Sequence, residues 1–247
     1  MTVGRLTLLG SGPSVAGGGG GSGITQSTGL IVYYTFDNAD TTTSQANDTN
    51  PNGFGPYHST FTGTVLASVT GRILQGREFG SSKYGITSST FQAPQTALSV
   101  CVWINPLIIN ATEAIAAQAG GGGVAWEFFQ NSDGTLFNRI RNGSNWIGRS
   151  TTTAITTSSW QHIAMTWSGG TTAASTKIYK NAVQIDTTDG NNGSFTAINS
   201  ASLELCICNE GGAFLLDSAL DDFRLYNREL SGADISAIYT AGSSGNP

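Results

Sequence analysis

The sequence predicts an all-β fold, an antiparallel two-sheet jelly-roll sandwich closed by one short C-terminal helix. Three observations carry this. Apolar and polar residues alternate with period two in short runs between Leu30 and Tyr226. Turn-forming residues separate these runs at regular intervals. The helical spacing that is present lies at the end, in residues 231–240.

The clearest alternation runs from Ser158 to Asp186. Ile163, Met165 and Trp167 fall on one face, and His162, Ala164 and Thr166 on the other. After Gly169-Gly170, a second strand carries Lys177 to Lys180, turns at Asn181-Ala182 and resumes at Val183-Gln-Ile185. In order along the chain, Leu30 to Phe36 reads as a strand, and Asn38 to Pro56 as a long polar loop. Leu74 to Gly80 and Lys83 to Ile86 read as a strand pair. Leu98, Val100, Val102 and Ile104 form one face of the next strand, which Pro106 ends. Gly120 to Gly123 marks a hairpin tip. Asn131-Ser-Asp-Gly134 marks another, because Asp-Gly supplies positive φ. Trp146 to Ser150, Thr152 to Thr157, Ser202 to Cys208 and Ala219 to Tyr226 read as further strands. Ser231 is the expected helix cap with Asp234 three positions on, and Ile235, Ile238 and Tyr239 line one side.

Composition narrows the function classes. The chain has 247 residues, a net charge of −5 and only 11% charged residues, so its surface is polar without being charged. Eleven scattered Lys and Arg argue against nucleic acid as a partner. Cys101, Cys206 and Cys208 are too few for a disulfide framework, and the two histidines complete no zinc set. No run reaches the roughly 18 apolar residues of a membrane helix, and Leu6 to Leu9 is too short for a secretory signal. Residues 1–29 stand apart as a Gly-rich N-terminal arm or linker before a domain spanning 30–247. Five consecutive glycines cannot hold a conformation alone. Leu6, Leu8 and Leu9 are therefore the expected partner-docking residues of an arm held by another protein.

Six motifs then occur in a fixed order: Tyr33-Tyr-Thr-Phe-Asp37, Gly76-Arg-Glu-Phe-Gly80, Leu98 to Pro106, Trp160-Gln-His162 to Trp167, Ile178-Tyr-Lys-Asn181, and Leu220-Asp-Asp222 to Ser231. Together they resemble the laminin-G-like jelly roll of the concanavalin A-like lectin and glucanase superfamily, over about Leu30 to Tyr239. Asn181-Ala182 departs from the Gly-containing turn usual there. Ala at positive φ costs roughly 1 kcal/mol, so a different turn type is expected. The resemblance implies two facing sheets and no particular function.

Glucanases of the superfamily carry Glu-x-Asp-x-x-Glu on one strand, and this chain has no such pattern. His162 reads as a strand histidine beside Trp160 rather than a general base. The resemblance implies a structural calcium held by Asp37 and Asp222. The Asp- and Asn-rich loop of residues 37–56 suits such an ion, while simple turn formation is the alternative. Glycan binding needs aromatic faces beside polar groups, which makes Asn145, Trp146 and Arg149, and Tyr57 with His58, the candidates. Trp103, Trp126, Trp160 and Trp167 are expected in the core.

The expected function is a non-catalytic surface module: a structural or decoration protein of a phage virion, docked on a capsid or tail through its arm. An extracellular type of fold, no export signal and no catalytic constellation lead there. The alternatives are a lectin-like, glycan-binding adhesin on the same particle that takes a cell-surface glycan, with calcium in play, and a glycoside hydrolase.

Overall fold

The computed structural model describes residues 26–246, apart from 43, 64, 65, 81 and 88. Leu6, Leu8 and Leu9 lie outside the described residues. In chain order the first strands are β1 (Leu30–Tyr34), β2 (Gln45–Ala46), β3 (Ser59–Thr62), β4 (Ala67–Thr70), β5 (Gln75–Glu78) and β6 (Tyr84–Thr87). Then come β7 (Phe91–Gln92), β8 (Leu98–Pro106), β9 (Glu113–Gly120), β10 (Gly123–Gln130), β11 (Leu136–Asn142) and β12 (Asn145–Thr151). The last are β13 (Gln161–Trp167), β14 (Thr176–Lys180), β15 (Val183–Gln184), β16 (Asp186–Asn192), β17 (Ser202–Ile207) and β18 (Ser218–Tyr226), followed by helix α1 (Gly232–Ser243).

Two antiparallel sheets face each other. The smaller runs β15-β14-β13-β8-β18-β5-β4, with β1 on β18. The larger runs β16-β12-β11-β10-β9-β17-β6-β3-β2, with β7 on β17. Alternation dictates the core between them. Leu98, Val100, Val102 and Ile104 of β8, with Ile163, Met165 and Trp167 of β13, meet Trp126, Phe128, Leu136, Ile140 and Ile147 of the opposite sheet. Each large apolar side chain buried this way contributes about 2 kcal/mol.

The helix decides which outer face stays open. Ser231 and Asp234 cap α1 reciprocally, as the sequence indicates. Ile235 and Ile238 of α1 then bury Tyr33, Cys101, Ala164 and Tyr226 on the outside of the smaller sheet. Trp103 is also there, stacked on Tyr239 at 5.6 Å, with no room for a Cβ at Gly242 beside its indole. His162 is fully buried in the same layer, where desolvation pulls its pKa down to about 3. The larger sheet has no helix on its outer face among the described residues.

Four expectations need correcting. The strands at Gln75–Glu78 and Tyr84–Thr87 do not pair with each other; they enter different sheets and meet only at the Gly80–Lys83 bridge. Residues 152–157 form a loop, because β12 ends at Thr151. Trp160 is half-buried rather than core. Asn181 and Ala182 keep the mirror-image hairpin turn, with φ of 49° and 68°. Asn181 anchors that turn, its Oδ1 accepting from the His162 amide at 2.9 Å.

Candidate functional site

The open face of the larger sheet is built from residues that point away from the core. In β11, Leu136, Asn138 and Ile140 are buried, which turns Phe137, Arg139 and Arg141 outward. In β12, Ile147 faces the core and Trp146 and Gly148 face out. Register sets Arg139 opposite Gly148, and Gly148 opposite Gly190 of β16. A Cβ at Gly190 would lie 3.0 Å from the Trp146 ring, so the absence of side chains lets the indole lie down against the sheet. A cavity of about 240 Å³ results, lined by Phe137, Arg139, Trp146, Arg149 and Ser150 around that glycine floor.

Charges on this face are paired. Glu127 of β10 is buried, and its two carboxylate oxygens accept from Arg139 at 2.8 Å and Arg141 at 3.0 Å. The Arg139 guanidinium also stands over two rings, 4.7 Å from Phe137 and 4.5 Å from Trp146. On the other side of β12, Arg149 sits 3.1 Å from both Asp186 and Asp189. Glu210 reaches the same region, and burial, then the Glu127 charge, pushes its carboxyl up.

Trp146 lines this groove, whereas Arg149, two residues on from Ile147, turns its side chain to the other side of β12 and borders the groove through its backbone. Asn145 begins the same strand, but its Oδ1 points toward Gly193. Tyr57 and His58 lie apart. Tyr57 stacks on Phe91 at 4.2 Å and lines a separate hollow of about 400 Å³ with Phe54 and Gln95. His58 uses Nδ1 to accept from the Asp48 amide at 3.0 Å. Phe137, Arg139 and Glu127 were not among the candidates. The outward period of residues 137, 139 and 141 is the signal that points to them.

The two residues expected to hold calcium, Asp37 and Asp222, lie within electrostatic reach of each other, and each is engaged by groups of the protein itself. Both Asp222 oxygens accept from the buried Arg224 guanidinium, and Asp37 Oδ1 accepts from the Gln75 amide at 2.9 Å. No group of three His, Cys, Asp or Glu among the described residues is arranged to hold a metal. The polar loop makes turns. Asp48 alone accepts from the amides of Tyr33, Asn50 and Tyr57.

A laminin-G-type family model, described as the concanavalin A-like lectin/glucanases superfamily, matches residues 79–236. No curated protein sequence matches the chain. The fold is similar to domain 4 of AbnA, a GH43 extracellular arabinanase from Geobacillus stearothermophilus, solved in complex with arabinotriose. That likeness has a TM-score of 0.65 and 21% identity, covering 85% of this chain and 98% of that domain. The binding domain of Botulinum neurotoxin DC, solved with rat synaptotagmin II, is similar with a TM-score of 0.63 and 16% identity over 87% of this chain. A botulinum neurotoxin type C structure, whose cell entry depends on two ganglioside molecules, is similar with a TM-score of 0.61 and 15% identity over 87% of this chain. The chain spans 52% of each of these two toxin chains.

Proposed function

The chain belongs to the concanavalin A-like lectin/glucanases superfamily, and from that premise we propose that it is a non-catalytic glycan-binding module. The observation that carries this reading is the Phe137–Arg139–Trp146 arrangement over the Gly148–Gly190 floor. It sets aromatic surface beside guanidinium, amide and hydroxyl groups, the combination that recognises a sugar ring and its hydroxyls. Two similar folds were solved with or tied to glycans: arabinotriose on the arabinanase domain and gangliosides for the type C toxin.

Carboxylate placement supports a binding role rather than hydrolysis. Glu127 and Glu210 come within electrostatic reach of each other on this face. Glu127 is 1% exposed with both oxygens held by arginines, so it has no free edge to offer a glycosidic carbon. Binding to immobilised glycans, lost on Trp146→Ala without loss of fold, tests the reading. Release of reducing sugar from a bound glycan would contradict its non-catalytic half.

The second reading sets this module on a virion surface, held through residues 1–29. The glycine run and Leu6 to Leu9 favour it. Deleting that segment is expected to abolish incorporation into particles; unchanged incorporation would remove this reading.

A further inference from the structure

The aromatic surface does not stop at the groove. Phe129 of β10 stacks on Phe137 at 5.1 Å, and Phe214 meets Phe129 edge-on at 5.4 Å. Phe214 is half exposed, whereas Phe129 is sealed beneath its neighbours. The series Trp146, Arg139, Phe137, Phe129, Phe214 thus crosses the outside of the sheet from β12 past β10. Two strand spacings alone cover about 10 Å.

Phe214 is held there against its own backbone preference. Its φ is 51°, in the left-handed region that a bulky side chain avoids. The loop before it makes a tight bridge, with Glu210 and Ala213 exchanging hydrogen bonds at 2.9 and 3.0 Å. The Phe214 carbonyl accepts from the Ala114 amide at 2.8 Å. Strain maintained to present an exposed ring is the kind of outlier that points to function. Charge narrows the ligand further. Arg139 and Arg141 share the Glu127 carboxylate, and Glu210 lies within electrostatic reach of both arginines. The two arginines of this track thus already face two carboxyl groups, which an acidic sugar would have to approach as well.

We propose that the face binds an extended, uncharged polysaccharide segment lying across the strands from Trp146 to Phe214, a reading that rests on the glycan-binding role above. Phe214 forms the far end of the track, and Trp146 the near end. The ligand is therefore recognised along its length rather than at a terminal sugar.

Isothermal titration of the full chain with linear arabino- and cello-oligosaccharides, from disaccharide to hexasaccharide, tests this. In the wild type, affinity for at least one series rises with length, by about tenfold or more between trimer and hexamer. Phe214→Ala erases that gain and leaves the trimer within about twofold, whereas Phe214→Trp keeps the gain. Length-independent binding, or a hexamer affinity that Phe214→Ala leaves untouched, overturns the extended track while the glycan-binding role stands. Preference for a sialylated oligosaccharide over its neutral core overturns the charge argument and with it the proposal. Binding of no oligosaccharide at all, by a wild type that is folded, overturns both the track and the role beneath it.

Discussion

Asp222 and Arg224, two residues apart on β18, form a sealed salt bridge at 2.9 Å, with the arginine side chain fully buried. Asp222 itself has a φ of 50°, at a bulge where β18 breaks register with β8 between Asp221 and Arg224. The bulge is what lets near neighbours pair. Asp222→Asn is expected to destabilise the fold by about 3 kcal/mol, because it removes the carboxylate charge that sits against a buried guanidinium. The loss should be the same in calcium and in chelator. A wild-type melting temperature that rises with calcium, and an Asn variant that does not respond, would instead assign Asp222 to a metal.

Stability should fall as pH rises from about 6.5 to 8. Asp221 is fully buried, and desolvation pushes its carboxyl up to about 8. A carboxyl whose folded pKa is raised contributes stability below its unfolded value of 3.8, and that contribution is lost as pH climbs toward 8. His162 acts in the opposite sense. Its pKa, lowered from 6.5 to about 3, contributes stability above 6.5 that is lost as pH falls toward 3. The two slopes oppose each other between about 4 and 6.5, and above that Asp221 alone of the two titrates, at no more than ~1.4 kcal/mol per pH unit. Asp221→Asn can keep the 2.7 Å bond from the Ile73 amide and should flatten the alkaline slope in denaturant titrations. An undiminished slope in the variant would show that another group is responsible.

Ala182 sits in the left-handed region at 68° in the β14–β15 turn. Glycine carries no Cβ penalty there, so Ala182→Gly should stabilise by about 1 kcal/mol. For a chain of this size that is a rise of about 2–4 °C in melting temperature. A decrease would show that lost chain entropy outweighs relieved strain.

Glu127→Gln should cost about 2 kcal/mol, discounted because Arg139 and Arg141 keep partial access to water. It should also weaken glycan binding, because Arg139 loses the anchor that holds it over Trp146. Unchanged affinity in a correctly folded variant would separate the ion pairs from the binding surface.

Much of this architecture is legible in residue order. The β8 and β13 alternations predict which side chains reach the core, and Ser231 with Asp234 predicts the start of α1. Strand β16, Asp186 to Asn192, was not legible because it has no large apolar residue: it is an edge strand, mostly exposed, held by register to β12. Strand β9 hides for a related reason, since its alanines give weak contrast between faces. The split of β5 and β6 between sheets depends on long-range pairing that no local pattern encodes. At the candidate site, polar neighbours marked Trp146 in advance. Phe214 was invisible because its contribution depends on a loop folding back over β10.

The most direct test of the account is binding of wild type and Trp146→Ala to a panel of neutral and sialylated glycans, with melting temperatures measured in parallel. The account predicts that the wild type binds neutral oligosaccharides and that the variant loses at least tenfold in affinity while melting within a few degrees of it. Equal binding by both proteins, or none by either, would contradict it.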